Sequence, residues 1–131
     1  MNNIEEVPIR DAATVMLLRE KKDSTYVLMG QRGNKAVFMA SKYVFPGGAV
    51  DEDDSNVKLF KSIDGKGIDL LHQYSKKKIA KELCVAAIRE LWEEAGLRLC
   101  TKVDDVGPIS PGWEDFCNGT FLPDASNRIY L

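Results

Sequence analysis

The segment that most constrains this chain of 131 residues is an amphipathic helix that ends in glycine. At about 100° per residue, its apolar and its charged side chains fall on opposite arcs. This division predicts a helix that packs on a sheet and turns an acidic face towards a cleft. We expect the helix to begin near Ser75, a good N-cap, and to end near Ala95, with Gly96 as a left-handed C-cap. The apolar arc comprises Cys84, Ala87, Ile88, Leu91, Trp92 and Ala95, and the charged arc comprises Glu82, Arg89, Glu90, Glu93 and Glu94.

Three of these carboxylates are close enough to act together. Glu90, Glu93 and Glu94 fall within about 100° of one another on the helix surface. Crowded carboxylates repel one another unless a cation lies among them, and their hard oxygen atoms favour Mg²⁺ or Mn²⁺. The alternative is a solvated acidic helix face, which is the commoner meaning of an isolated Glu-x-x-Glu-Glu.

A glycine-rich motif upstream favours the metal site over the solvated acidic face. It runs Tyr43-Val44-Phe45-Pro46-Gly47-Gly48-Ala49-Val50-Asp51 and is expected to let the backbone turn sharply and approach a ligand. With Arg89-Glu90-Leu91-x-Glu93-Glu94-x-Gly96-Leu97, it resembles the Nudix box. That signature reads Gly, five residues, Glu, seven residues, Arg-Glu, an apolar residue, any residue, Glu-Glu, any residue, Gly and an apolar residue. The second half matches at every defined position.

The first half departs from the signature. Arg89 lies 41 positions after Gly48 where the signature has 14, so 27 residues are inserted. Lys81 stands eight positions before Arg89, where a glutamate is expected, and Glu82 follows it on the acidic side. The chain is similar to Nudix subgroups of the coenzyme A diphosphatase type, which carry such an insert after a stretch like Phe38-Met39 to Asp51. The resemblance covers residues 10–131.

The resemblance implies a reaction and a site. Nudix hydrolases cleave the phosphoanhydride bond of a nucleoside diphosphate linked to another group, which in this subgroup is coenzyme A or its esters. By resemblance, Glu90, Glu93 and Glu94 bind Mg²⁺ or Mn²⁺, and a backbone carbonyl of Gly47 or Gly48 completes the ligand set. Arg89 precedes Glu93 by four residues, so we expect a forked ion pair that orients this glutamate.

Two questions stay open at this point. The general base is one of the box glutamates, an acid in a later loop or a residue beyond this chain; the loop candidates are Glu114, Asp115 and Asp124, each more commonly a solvated acid. The other function class is a catalytically weak or inactive Nudix-fold module that binds a nucleotide or serves as an interaction domain. The intact second half of the box favours the enzyme, whereas the missing first glutamate favours the module.

The elements predict an α+β fold, an α/β/α sandwich in which the helix packs on a mixed sheet. We expect one domain over residues 1–131, with an insert at about 51–75 that is more exposed and mobile than the core and carries a short helix near Asp69 to Tyr74. Residues 11–19 predict a strand nearly buried on both faces, residues 25–31 its hairpin partner, and residues 43–45 a third strand. Because the chain stops on Ile129-Tyr130-Leu131, we expect the last portion of the fold to be missing.

The composition argues against nucleic acids and membranes as partners. A net charge of −2 gives no footprint for nucleic acid, and no apolar run approaches the roughly 20 residues of a membrane span. Three widely spaced cysteines indicate reduced thiols and a cytoplasmic protein. By the resemblance, the expected partner is a small-molecule diphosphate, and a homodimer is also considered.

Several other residues have both a functional and an ordinary interpretation. Trp92 and Trp113 are expected to pack in the core rather than to stack on a base. Arg32 could face a phosphate, although an arginine in a turn is the default. His72 is expected to be a surface or insert residue rather than a ligand, and Lys76-Lys77-Lys78 a solvated first helical turn.

Overall fold

The computed structural model describes residues 9–35 and 41–126. Its strands are β1 (Ala12–Thr14), β2 (Leu18–Lys21), β3 (Ser24–Val27), β4 (Gly30–Gln31), β5 (Tyr43–Val44), β6 (Gly47–Ala49), β7 (Cys100–Lys102) and β8 (Phe121–Pro123). Its helices are α1 (Gly65–Gln73), α2 (Ala80–Ala95) and α3 (Glu114–Cys117), with a 3-10 helix at Glu52–Asn56.

The first six strands form three extended stretches, each of which pairs with the other two. β1 pairs with β6, β2 with β3, and β4 with β5, all antiparallel. Backbone bonds continue these ladders between the elements, from the Val15 N–H to the Pro46 carbonyl (2.9 Å) and from the Leu28 N–H to the Leu17 carbonyl (3.0 Å). Each stretch therefore changes partner along its length. A fourth antiparallel ladder joins β7 and β8.

Helix α2 is the centre of the packing. It contacts β1, β6 and the 3-10 helix, and it buries Val85, Ile88 and Leu91. The main core cluster contains Val57, Val85, Ile88, Trp113, Phe116 and Cys117. Phe116 makes edge contacts with the rings of Trp92 (5.8 Å between centroids) and Trp113 (5.0 Å). The expectation that both tryptophans pack in the core is confirmed.

The α+β class is confirmed, but two expectations about the strands are wrong. In place of one mixed sheet, the strands of the described residues form four antiparallel ladders. The stretch at residues 11–19 is not buried on both faces, since Met16 is 67% and Leu18 55% exposed. The apolar sequence of this stretch predicts burial only if another element covers it, and no described element covers these two side chains.

Helix α2 ends where expected and begins later than expected. Gly96 has φ 67° and ψ 19°, and its N–H donates to the Trp92 carbonyl, so the left-handed C-cap is confirmed. Ser75 is not the N-cap, because its hydroxyl forms a local turn with the backbone of Lys77 (2.8 and 3.2 Å). The apolar arc is also shifted: Val85 and Ala86 are buried, whereas Ala95, beside the helix end, is exposed.

The insert is only partly an exposed excursion. Its helix forms at Gly65–Gln73, capped by the Asp64 carboxylate, which accepts from the Gly67 N–H (2.8 Å). The first part belongs to the core, since Asp54 and Val57 are 2% and 3% exposed. The expectation of exposure throughout is therefore wrong for these two residues. The expectations that involve Phe38, Met39 and the apolar end at residues 129–131 fall outside the described residues.

Candidate active site

Arg89, in the middle of α2, is the hub of the candidate site. Its Nε and Nη2 donate to the two carboxylate oxygens of Asp54 (3.2 and 3.1 Å). Nη2 also donates to the Ala49 carbonyl at the end of β6 (3.0 Å), and Nη1 donates to Glu90 Oε1 (2.9 Å). Arg89 thus ties α2 to the glycine strand and to the 3-10 helix in a single side chain.

The forked ion pair that was expected between Arg89 and Glu93 forms between Arg89 and Asp54 instead. Glu93 keeps only a 3.8 Å contact with Arg89, and its side chain is 57% exposed. Asp54 is nearly inaccessible and also accepts the Asp51 N–H (2.8 Å). The fork forms with Asp54 because a carboxylate from the packed 3-10 helix can meet the guanidinium edge-on, with both oxygens in reach.

Asp54 is the functional residue that the sequence interpretation missed, and a simple signal could have found it. The signature places its first glutamate five residues after a glycine, and five residues also separate Gly48 from Asp54. Counting back from Arg89 instead reaches Lys81, whose Nζ donates to the Ser55 carbonyl (2.8 Å). The insert therefore interrupts the box after Asp54, and Asp54 fills the place of the acid that was thought to be missing.

Charge and burial act in opposite directions on Arg89. Burial alone lowers the pKa of the guanidinium, but hydrogen bonds and charge from Asp54, with further contributions from Asp51 and Glu90, raise the pKa above its ordinary value. Arg89 therefore stays charged in its half-buried position. Glu82 is half-buried and is not among the partners of Arg89 in the described part of the chain.

The two glycines of the box permit close contacts rather than a sharp turn. Both lie in β6, where Gly47 pairs with Thr14 and Gly48 with Ala13, so the expected turn at these residues is wrong. A Cβ atom on Gly48 would overlap the Glu90 carboxyl group, and one on Gly47 would overlap the Ala13 carbonyl. Gly48 therefore lets the strand approach the first box glutamate of α2.

Glu90 and Glu94 interact directly at this contact. Burial raises the pKa of the Glu94 carboxyl, the neighbouring Glu90 raises it further, and a hydrogen bond from the Gly47 backbone opposes the shift. The expected grouping of Glu90, Glu94 and Gly47 is thus present. The Glu93 side chain is 57% exposed, and its Oε2 atom lies 3.8 Å from Arg89 Nη1, the nitrogen that also bonds to Glu90.

The donor chemistry of this group suits a divalent cation. The neighbouring carboxylates of Glu90 and Glu94 are oxygen ligands of the kind that Mg²⁺ and Mn²⁺ take. The rise that the charge of Glu90 causes in the pKa of Glu94 is the repulsion that a bound cation would relieve. Residues 9–35 and 41–126 nevertheless contain no group of three acidic, histidine or cysteine side chains already arranged to hold a metal ion. The three-glutamate ligand set therefore stays a prediction.

The three loop acids proposed as bases differ in their surroundings. Glu114 and Asp115 are exposed on α3, as expected of solvated acids. Asp124 is 3% exposed and accepts hydrogen bonds from Thr101 Oγ1 (2.6 Å), the Ser126 hydroxyl (2.6 Å) and the Ser126 N–H (2.9 Å). Burial raises the pKa of Asp124, but these bonds outweigh burial and leave the pKa below its ordinary value. Asp124 is thus a buried, fully engaged acid rather than a solvated one.

For Arg32 and His72, the sequence also allowed both a functional and an ordinary interpretation. Arg32 is exposed directly after β4, and its charge has a lowering effect on the pKa of Glu94. His72 lies in α1, within the insert, and its Nε2 atom is buried without a hydrogen-bond partner among the described residues. Of the three lysines, Lys77 pairs with Asp11 (3.0 Å).

Known proteins resemble this chain in sequence and in structure. A Caenorhabditis elegans protein named "Putative nudix hydrolase 7" is 34% identical over 109 residues, which are 83% of this chain and 26% of that protein. The crystal structure of a NUDIX hydrolase from Alicyclobacillus acidocaldarius superposes with a TM-score of 0.64 at 24% identity. That superposition covers 91% of this chain.

The chain has the Nudix fold. The sequence similarity to the nematode protein further supports the Nudix hydrolase family. The chain spans about a quarter of the length of that relative and 58% of the bacterial structure. No protein-family model matches the chain. In the described residues, no helix is long and apolar enough to cross a membrane.

Proposed function

We propose that this chain is a Nudix hydrolase that uses Mg²⁺ or Mn²⁺ to cleave the phosphoanhydride bond of a nucleoside diphosphate linked to another group. The observation that carries the proposal is the arrangement around Arg89. This residue donates to Glu90 Oε1 at 2.9 Å, and the Glu90 carboxyl group lies against Gly48 of β6. The second half of the box is thereby docked against the first, as diphosphate hydrolysis at one shared site requires.

Each residue has a defined part in this proposal. Glu90, Glu93 and Glu94, with a backbone carbonyl of Gly47 or Gly48, would hold the cation. A divalent ion in such a site neutralises phosphate charge and lowers the pKa of a bound water molecule. Arg89 does not need to touch the substrate. It is a positioning residue that fixes Glu90 and is itself fixed by Asp54.

Coenzyme A or one of its esters is the substrate that we propose within this class. The support is the sequence stretch before the insert and the position of the insert inside the box, both of which resemble coenzyme A diphosphatases. The structure refines that position, because the insert leaves after Asp54 and returns through α2. A cytoplasmic location and a homodimer remain part of the proposal, the former on the wide spacing of the three cysteines in the sequence.

A second candidate function is a Nudix-fold module that binds a nucleotide with little or no turnover. One observation favours it: the described residues contain no group of three carboxylates already arranged to hold a metal ion, and the Glu93 side chain is 57% exposed. The two functions differ in turnover, and a substrate screen separates them.

The test is hydrolysis of a panel of diphosphate compounds, including coenzyme A, with Mg²⁺ or Mn²⁺. We expect Glu93→Gln and Glu94→Gln to lower kcat by two to three orders of magnitude, about 3–4 kcal/mol, since each change removes charge without removing volume. Glu20→Gln, at an exposed glutamate of β2 with no proposed part in the site, is the matched control. Full activity of both box variants, or of the wild type in excess EDTA, would refute the metal site. Nucleotide binding without turnover would favour the module.

A further inference from the structure

The turn that joins α3 to β8 contains the one place in this sequence where glycine follows asparagine, at Asn118-Gly119. Both residues are exposed. No hydrogen bond of the described residues involves the Asn118 side chain or the Gly119 N–H. The side-chain amide and the peptide nitrogen that follows it are therefore both free to react with each other.

The fold requires glycine at this position. Gly119 has a φ of 88°, in the left-handed region that other residues rarely adopt. A Cβ atom there would also come within 3.0 Å of the Phe121 ring. Because glycine has no side chain to shield its own peptide nitrogen, the residue that allows this turn also exposes a nucleophile beside the Asn118 side chain.

The reaction open to this pair is the loss of ammonia through a cyclic imide. Hydroxide from solvent removes the Gly119 amide proton, and the nitrogen forms a bond to Asn118 Cγ. The side-chain nitrogen takes a proton from water and leaves as ammonia. Water then opens the ring at Cγ to give aspartate, or at the main-chain carbonyl carbon to give isoaspartate. One water is consumed and one ammonia released, with no oxidation.

The turn must rotate before the ring can form. The ψ angle of Asn118 is 129°, which directs the Gly119 nitrogen away from the Asn118 side chain. The next residue, Thr120, is β-branched and has a φ of 63°, so this turn already holds a strained residue. Rotation of the exposed turn relieves that strain. Ring closure therefore requires a local movement and not unfolding of the core.

Arg98 connects this turn to helix α2. Its Nη1 donates to the main-chain carbonyls of Phe116 (3.0 Å) and Asn118 (2.9 Å). Its guanidinium lies over the rings of Trp92 (5.3 Å to the centroid) and Phe121 (4.3 Å). No ion pair of the described residues includes Arg98. In isoaspartate the main chain runs through Cγ, so the carbonyl that Arg98 contacts becomes a free carboxylate.

We propose that Asn118-Gly119 is a self-modification site, at which the folded chain forms isoaspartate and so provides Arg98 with a carboxylate partner. The Arg98 guanidinium favours attack of water at the main-chain carbonyl carbon, because a cation stabilises the oxyanion that forms there. The product adds one negative charge to the turn and replaces a neutral acceptor by a charged one, which binds a guanidinium more strongly. This reaction is independent of the proposed hydrolase function.

Incubation of the purified chain at mildly alkaline pH, followed by peptide mapping, tests this proposal. Mass spectrometry with electron-transfer dissociation distinguishes isoaspartate from aspartate. We expect the peptide that contains Asn118 to gain the mass difference between a hydroxyl and an amino group. Asn56, which is also exposed but is followed by the β-branched Val57, is the internal control and should stay unchanged.

Three variants and a denatured sample identify the roles of the two residues. Asn118→Gln keeps the amide but lengthens the side chain, and it should stop the conversion. The ratio of isoaspartate to aspartate should be roughly two- to tenfold higher in the folded chain than in urea, the factor that one net hydrogen bond supplies. Arg98→Gln should lower this ratio to the value in urea, whereas Arg19→Gln, at an exposed arginine of β2, should keep it.

The outcomes decide the proposal even if a variant fails to fold, because the comparison of folded and urea-denatured wild type needs no substitution. Conversion at Asn118 with an isoaspartate ratio above the urea value supports it. No conversion of the folded chain under conditions in which the denatured chain converts would overturn it. The same ratio in folded and denatured chains, or equal conversion at Asn56, would overturn it as well.

Discussion

At the scale of single residues, the most consequential interaction of the candidate site is the buried Asp54–Arg89 ion pair. Asp54 is 2% exposed, and the Arg89 side chain is 13% exposed, so both charges have lost most of their hydration. Such a pair contributes little net stability as a whole, but removal of one partner leaves a buried charge without compensation. A run of acidic residues such as Asp51-Glu52-Asp53-Asp54 usually indicates a solvent-exposed segment. Tertiary packing of the 3-10 helix overrides that pattern.

Substitution of Asp54 tests its part in positioning the box. Asp54→Asn should lower the free energy of unfolding by about 3 kcal/mol and lower kcat, because Arg89 loses its buried partner. Asp54→Glu keeps the negative charge, so it should lower the free energy of unfolding and kcat less than Asp54→Asn does. Asp51→Asn, at a side chain 57% exposed, is the control and should change stability by less than about 1 kcal/mol. Denaturant titration and kinetics would measure both effects. Equal effects of the Asn and Glu variants would show that the charge of Asp54 is irrelevant.

Asp124 gives the chain a stability that depends on pH. Its folded pKa lies below the ordinary value, so its contribution is complete above the unfolded pKa of about 3.9 and is lost as the pH falls below that value and through the lower, folded pKa. Asp124→Asn should therefore be destabilised by about 1–3 kcal/mol at neutral pH, with a difference from wild type that shrinks below about pH 4. Thermal melts across pH 2.5–7 would measure this, with exposed Asp115→Asn as the control. A difference independent of pH would contradict the assignment.

At the scale of elements, sequence periodicity predicted features that depend on neighbouring residues, and it missed features that depend on residues distant in sequence. The period and the glycine cap of α2 depend on neighbours in sequence, and the helix ends at Ala95 with Gly96 left-handed, as expected. Strand partners depend on distant residues. The stretch from Ala12 to Lys21 exchanges β6 for β3 along its length, which no alternation of apolar residues reveals. The proximity of Glu90 and Glu94 likewise followed from helix geometry. The contact between Asp54 and Arg89 depends instead on how the 3-10 helix packs against α2.

The glycines of β6 allow a prediction in which identical substitutions have different results. A Cβ on Gly47 would meet the backbone of Ala13 and Thr14, which cannot move aside, so Gly47→Ala should cost about 1–3 kcal/mol of stability. A Cβ on Gly48 would meet the flexible Glu90 side chain, so Gly48→Ala should cost less than about 1 kcal/mol but displace Glu90 and lower kcat. Gly33→Ala, with nothing within 4 Å, is the neutral control. Unchanged kcat in Gly48→Ala would refute the functional contact between strand and helix.

At the scale of the whole molecule, burial is uneven. The side of α2 that faces the 3-10 helix and α3 forms a closed aromatic core, whereas the β2–β3 hairpin exposes apolar side chains. Beside it lies an open cleft of about 420 Å³, lined by Leu17, Arg19, Tyr26, Val27, Leu28 and Leu97. Apolar character in this stretch was evident from the sequence. Its exposure was not, because burial is a property of the assembled fold.

The exposed hairpin predicts that this chain associates with itself. Leu18 and Val27 are a cross-strand pair and are 55% and 42% exposed, and contiguous apolar surface of this kind mediates contacts between molecules. We expect sedimentation velocity to show a monomer that associates as concentration rises. The double variant Leu18→Lys and Val27→Thr should shift this equilibrium towards the monomer by tenfold or more, about 1.4 kcal/mol, while the far-ultraviolet circular dichroism is retained. Ile109→Thr, at a side chain 39% exposed in the loop before α3, is the matched control. A wild-type chain that stays monomeric at the highest concentration, or a control that dissociates the complex equally, would show that the hairpin face is not the contact.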